Sequence, residues 1–337
     1  MTLPKTESAA ATPPPVVIVG AGPFGRALAQ VAARRGARVT LWSRRGEAEL
    51  PAGTHRAVTL AEAAAAAKLI YFCAPASQAR ALLSKLGDVT DGGHLLVHAA
   101  RGVEAPAGTT LSEIVRHETP IRRVGVLAGP LVPRELEAAI PSAIVVASRF
   151  PEVIAAAQRS LGQPALRVYG SDDLVGVELS AALMTVIALA CGLAAGLLEG
   201  QARQPLHGST GGVSTRAVVV ARGLAQAARI LESLGAKART LAGLGGVGEV
   251  LVTSQGVESP DHALGVAIGR GTPAAQALAA LGRTAEGPQV ARVVAAIAKA
   301  RKVNASLFAA VADVMDGKKA PIEALAGLAG GSVSSEL

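Results

Sequence analysis

The chain has 337 residues, 50% of them apolar and 2% aromatic, with a formal net charge of +8. That length exceeds one ordinary hydrophobic core and implies two domains, while the apolar content excludes a disordered chain. The Arg residues are scattered singly, without a basic helix or an aromatic platform for bases, which argues against nucleic acid and leaves solubility and an anionic small ligand as uses of the charge.

Met1 to Pro15 reads as a loose tail, because Lys5 and Glu7 precede a Pro-rich patch without the apolar core of a signal peptide. From Val16 onward strand and helix signals alternate. Val16 to Val19 predicts a strand, Gly20-Ala21-Gly22-Pro23-Phe24-Gly25 a turn, Arg26 to Arg34 a helix and Arg38 to Trp42 a second strand. This places a G-x-G-x-x-G motif between strand and helix in a βαβ unit, the setting in which it binds dinucleotides. Gly20 makes the tight turn, Gly22 admits a pyrophosphate close to the backbone, Gly25 lets helix pack on strand, and Pro23 and Phe24 complete the loop. The helix start offers N–H donors and the positive dipole end to phosphate. At the end of the second strand an acid usually bonds the ribose 2′-hydroxyl. Here Ser43-Arg44-Arg45 suits a 2′-phosphate, favouring NADP, with Glu47 nearby as the acid that would serve NAD.

Further strands are expected at Leu69 to Cys73, Leu95 to Ala99, Arg123 to Leu127, Ala143 to Ala147 and Leu166 to Tyr169, with a helix at Glu152 to Leu161. Their continuous apolar runs suit strands covered on both faces. The loops after them, including Pro75, Arg101 and Ala128, lie at strand carboxyl ends, where open α/β sheets bind ligands. Cys73 and Cys191 both fall in apolar segments, as thiols of a reducing cytoplasm do, so a cytoplasmic location is expected. No metal site is expected.

Strand signals stop after Gly170, which sets the expected division: residues 16–170 as the dinucleotide domain, 171–331 as an all-α domain, 332–337 as a tail. The second domain opens with Leu179 to Leu198, an uncharged run fenced by Glu178 and Glu199. About 20 apolar residues is the length of a membrane-crossing helix, and equally of a helix buried on every side. The preceding α/β domain, a cap from Asp172 or Asp173, and Gly192 and Gly196 for close packing favour the buried helix. A small-residue helix of this kind is compatible with a homodimer.

Nearly the whole chain resembles the NAD(P)-dependent glycerol-3-phosphate dehydrogenase family. Gly20-Ala21-Gly22-Pro23-Phe24-Gly25 is similar to its cofactor loop, Ala100-Arg101-Gly102-Val103-Glu104 to its Thr-Lys-Gly-Leu-Glu, and Ala128-Gly129-Pro130 through Arg134-Glu135-Leu136 to its Ser-Gly-Pro and Lys-Glu-Leu. Val175-Gly176-Val177-Glu178-Leu179 leads into its signature helix, and Ser214-Thr215-Arg216-Ala217 with Ala221-Arg222-Gly223-Leu224-Ala225 resembles a later segment. The resemblance implies a Rossmann-type dinucleotide-binding domain followed by an all-α domain of the 6-phosphogluconate-dehydrogenase-like kind. It also implies hydride transfer between dihydroxyacetone phosphate and glycerol 3-phosphate, a step in glycerophospholipid metabolism.

The departures fall on the chemistry. The family's catalytic Lys and following Asn are Met184 and Thr185 here, and its phosphate-gripping Arg-Asn is Pro260-Asp261. Met184 cannot donate a proton, and Asp261 would repel a phosphate dianion. Glu249 stands for the family's Asp, Thr253 for its substrate-contacting Thr, Arg101 for its first Lys, and Glu286 for a cofactor-contacting Glu. Arg101, Glu249 and Thr253 are therefore the expected catalytic residues, joined by His207 as a proton source, with His262 and His98 as further candidates. Three functions stay open: the family reaction at low rate, a dehydrogenase for another small carbonyl or hydroxy compound, and a dinucleotide-binding sensor or scaffold without activity.

Overall fold

The structure, a computed structural model, describes residues 12–44, 50–201, 213–256 and 258–329. Its sheet is built from β1 (Val16–Val19), β2 (Val39–Trp42), β3 (Thr54–Arg56), β4 (Leu69–Phe72), β5 (Leu95–His98), β6 (Arg123–Ala128), β7 (Ser142–Ser148) and β8 (Leu166–Ser171), in the order β3-β2-β1-β4-β5-β6-β7-β8. Neighbours run parallel except β6 and β7, which are antiparallel. Around it lie α1 (Pro23–Arg34), α2 (Leu60–Ala66), α3 (Ala79–Gly87), α4 (Leu111–Glu118), α5 (Pro133–Glu137) and α6 (Pro151–Leu161).

The alternation of side chains along a strand explains why the apolar runs are unbroken. Val16 and Ile18 of β1, with Leu69 and Tyr71 of β4, enter the core under α1 and α6. Val17, Val19, Ile70 and Phe72 enter the core under α2, α3 and α4. The buried Tyr71 hydroxyl is satisfied by Ser160 Oγ at 2.7 Å. Every expected strand forms, with ends shifted by one or two residues. The sequence reading omitted β3, a short polar edge strand. The first helix starts at Pro23 rather than Arg26, since proline's fixed φ and missing N–H suit the first helical position.

The second unit contains α7 (Leu174–Gln201), α8 (Val213–Ser233), short turns at Ala238–Ala242 and Leu244–Gly248, α9 (Glu249–Thr253), α10 (Pro260–Gly269), α11 (Ala274–Ala280), α12 (Gly287–Arg301), α13 (Ser306–Met315) and α14 (Pro321–Ala329). The two compact units are Met1–Ala100 with Thr110–Glu178, and Arg101–Thr109 with Leu179–Leu337. This division by compactness falls inside α7, into which strand β8 feeds directly and which Asp173 caps by accepting the Gly176 N–H at 3.1 Å. The excursion Arg101–Thr109 joins the helical unit: Gln289 Nε2 donates to the Val103 carbonyl at 2.6 Å, and Gly108 lies against Val293 and Ile297 of α12.

Helix α7 is long and apolar enough to cross a membrane, but 83% of its most apolar window is buried inside the protein. Its glycines explain the packing. A methyl group at Gly192 or Gly196 would overlap the carbonyls of His262 and Val266, and one at Gly265 or Gly269 would overlap those of Leu189 and Leu193. α7 and α10 therefore touch backbone to backbone. Gly192→Val should cost about 2 kcal/mol or more, read as a lower thermal unfolding midpoint, whereas Ala at the exposed Gly92, where a methyl meets nothing nearer than 3.9 Å, should not produce that overpacking.

Candidate active site

The loop after β1 has the backbone a dinucleotide needs. Gly20 adopts φ +114°, and a methyl there would stand 3.0 Å from the Cys73 carbonyl group. A side chain at Gly25 would collide with the Gly20 carbonyl, while Gly22 faces open space. The Gly20 N–H donates to the Trp42 carbonyl at 2.9 Å and the Cys73 N–H to the Val19 carbonyl at 2.8 Å. These bonds extend the parallel ladders past the strand ends and hold the loops after β1 and β4 together where the strand order reverses, the position at which doubly wound sheets take their ligands. No side chain caps α1 and no acid occupies its first turn. Its N–H groups and dipole are thus available to a pyrophosphate, and the residues fit that group.

Other expected cofactor residues are placed unevenly. Ser43 is half-buried and Arg44 exposed just beyond β2, whereas Arg45 and Glu47 lie outside the described residues. Pro75 precedes the turn Ala76–Gln78 after β4, and Ala128 is buried at the end of β6. Glu286 belongs to the helical unit.

That unit has its own cavity of about 160 Å³, lined by Arg101, Thr185, Glu249, Thr253, Ser259, Pro260, Asp261, Thr284 and Glu286. It brings together three of the four residues expected to be catalytic. Arg101 Nη1 meets Glu249 Oε1 at 2.6 Å, with Glu249 only 1% exposed. A guanidinium held this way against a buried carboxylate is fixed in direction and stays charged at any accessible pH. Thr253 donates its hydroxyl to the Glu249 carbonyl at 2.9 Å, one turn back in α9. His207, the fourth, lies outside the described residues.

Met184 is fully buried and absent from the cavity wall, while its neighbour Thr185 lines it and donates to the Ala182 carbonyl at 2.6 Å. The other two histidines are elsewhere. His98 Nε2 lies 3.1 Å from Ser112 Oγ and 3.2 Å from Glu178 Oε1 inside the first unit. Burial pushes the Glu178 carboxyl up, but His98 and the Ser112 N–H outweigh it and hold it below the usual range. His262 is buried in α10 with neither ring nitrogen hydrogen-bonded among the described residues, and burial, then Arg216, pushes its pKa down. Arg216 is half-buried and Arg222 exposed; neither lines the cavity. Among the described residues no cluster of His, Cys, Asp and Glu is arranged to hold a metal.

Sequence reasoning treated Asp261 as a lost contact and did not single out Thr284 at all. Asp261 is 5% exposed, and its Oδ1 accepts the Gly287 N–H at 2.7 Å. Burial raises its pKa to about 7, the Gly287 N–H opposes this, and Glu286 adds to it. The cavity therefore contains a carboxyl that exchanges its proton near neutrality. Because the folded pKa of about 7 lies above the ordinary carboxylate range, the stability linked to protonated Asp261 is present at acid pH and is lost as pH rises through 7. Asp261→Asn keeps an acceptor for Gly287 and removes this titration. Its unfolding midpoint should therefore gain on the natural protein's between about pH 5 and about pH 8, measured by calorimetry, and a constant difference would contradict the buried-acid assignment.

Comparison with known proteins agrees along most of the chain. Residues 15–49 and 46–154 match the NAD-dependent glycerol-3-phosphate dehydrogenase N-terminus, and residues 173–326 match the corresponding C-terminus. A glycerol-3-phosphate dehydrogenase [NAD(P)+] of Rhodospirillum rubrum is 32% identical over 90% of this chain and 88% of its own length. That of Variovorax paradoxus is 35% identical over 94% and 96%. The crystal structure of glycerol-3-phosphate dehydrogenase from Coxiella burnetii superposes with a TM-score of 0.84 at 26% identity, covering 95% of this chain and 99% of that one.

Proposed function

Because the chain belongs to the NAD-dependent glycerol-3-phosphate dehydrogenase family, we propose that it is an NAD(P)-dependent oxidoreductase that interconverts dihydroxyacetone phosphate and glycerol 3-phosphate at a low rate. The observation that carries this reading is the Arg101–Glu249 pair, set with Thr253 and Thr185 in one cavity of the helical unit.

The nicotinamide ring, when bound, supplies or accepts the hydride. Gly20, Gly22, Pro23, Phe24 and Gly25 would hold the pyrophosphate, with Pro75 and Ala128 at neighbouring strand ends. Ser43, Arg44 and Arg45 favour the 2′-phosphate of NADP over the bare ribose of NAD. The Arg101 guanidinium polarises a carbonyl oxygen, and Glu249 keeps it aimed. Arg101 does not release a proton near neutrality, so we assign the proton to Asp261, whose carboxyl holds one up to about pH 7. Met184 contributes packing and no proton, which accounts for the low rate. The buried thiols of Cys73 and Cys191, both pushed up to about 12 by burial, support a reducing, cytoplasmic setting.

Pro260 and Asp261 favour a second reading, in which a different small carbonyl or hydroxy compound is the preferred substrate. The test is NADPH and NADH oxidation with dihydroxyacetone phosphate. Arg101→Gln should lower kcat/KM by about 100-fold, and Met184→Lys combined with Thr185→Asn should raise kcat by about tenfold or more. Fast turnover by the natural protein that Arg101→Gln leaves intact would contradict the proposal.

A further inference from the structure

Two helix starts meet at the cavity. α10 begins at Pro260 and α12 at Gly287, and a helix N-terminus attracts anions through its N–H groups and dipole. Here the protein spends that capacity on itself. Asp261 sits in the first turn of α10 and accepts the N–H of Gly287, the first residue of α12. Pro260 has no N–H to offer, and the N–H of His262 goes to Ser259 Oγ at 3.3 Å. Gly287 is required for the arrangement, because a methyl there would stand 2.8 Å from Asp261 Oδ1 and 3.0 Å from the Thr185 carbonyl.

The rest of the wall agrees with this. Among the described residues its acidic side chains are those of Glu249, Asp261 and Glu286, and its basic one is Arg101, which already contacts Glu249. The other lining groups are Pro260 and the neutral hydroxyls of Thr185, Thr253, Ser259 and Thr284. Such a wall opposes a phosphate dianion and suits a molecule bearing hydroxyl groups and no charge.

We propose that the cavity accepts, beside the phosphorylated pair, a small uncharged hydroxy-ketone and its polyol, and that Asp261 makes these the preferred substrates by occupying the anion position with the protein's own carboxylate. This rests on the reading of the chain as a nicotinamide-dependent oxidoreductase. The redox balance is that of the family reaction: the ketone gains a hydride at carbon and a proton at oxygen, and one dihydronicotinamide is oxidised.

The experiment compares dihydroxyacetone with dihydroxyacetone phosphate as oxidants of NADPH at pH 7.5, and glycerol with glycerol 3-phosphate as ligands of the full chain by ligand-observed NMR. For the natural protein, kcat/KM should favour dihydroxyacetone by about tenfold or more, and glycerol should bind more tightly than glycerol 3-phosphate. Asp261→Asn also removes the proton source and slows both ketones, so the variants are read by binding: Asp261→Asn should narrow the difference between glycerol and glycerol 3-phosphate, and Pro260→Arg with Asp261→Asn should reverse it. Tighter binding of glycerol 3-phosphate by the natural protein, or a preference that Asp261→Asn leaves unchanged, overturns the proposal, as does binding of neither ligand. Absence of NADPH binding in a fluorescence titration would instead overturn the underlying oxidoreductase reading. The NMR comparison on the protein alone still decides the role of Asp261.

Discussion

The close approach of α7 and α10 is the constraint on which the helical unit depends. Gly192 and Gly196 on one helix and Gly265 and Gly269 on the other bring the two backbones into contact. That contact fixes where α10 begins, and so where Ser259, Pro260 and Asp261 stand. Gly287 then admits the Asp261 carboxyl beside Thr185 of α7, so that α7, α10 and α12 meet around one buried acid. The uncharged run that reads equally well as a membrane span is thus the axis of the helical core, because its glycines let the backbone of α10 pack directly against it.

Two buried carboxylates of this unit illustrate opposite solutions to the same desolvation problem. Glu249 is paired with Arg101, a charge-assisted contact that restores much of what burial removes. Asp261 has a backbone N–H and an acidic neighbour in Glu286 and meets the problem by keeping its proton until about pH 7. One cavity therefore holds a permanent cation that can polarise an oxygen and an acid that can exchange a proton. These are the two duties a carbonyl reduction demands of the protein.

Much of the fold was legible because its signals are local. Unbroken Val, Ile and Leu runs announced strands covered on both faces, and the spacing of Gly20, Gly22 and Gly25 announced the cofactor loop. β3 escaped notice since Thr54, His55 and Arg56 carry no apolar pattern at an exposed sheet edge. In the cavity, Arg101, Glu249 and Thr253 were expected through family resemblance, which supplies positions but not environments. The acidity of Asp261 comes from its burial and from Gly287 and Glu286, about 25 residues along the chain. No sequence pattern carries that information, and Thr284, a lone threonine in a loop, gave no signal.

The central proposal is that the first unit holds a working dinucleotide site. Fluorescence titration of the full chain with NADPH and NADH, alongside a Gly22→Val variant that fills the open space above the loop, tests it most directly. The account predicts saturable micromolar binding of NADPH, weaker binding of NADH, and loss of both in the variant with its fold intact by circular dichroism. Absence of saturable binding by the natural protein, or binding that Gly22→Val leaves unchanged, would contradict it.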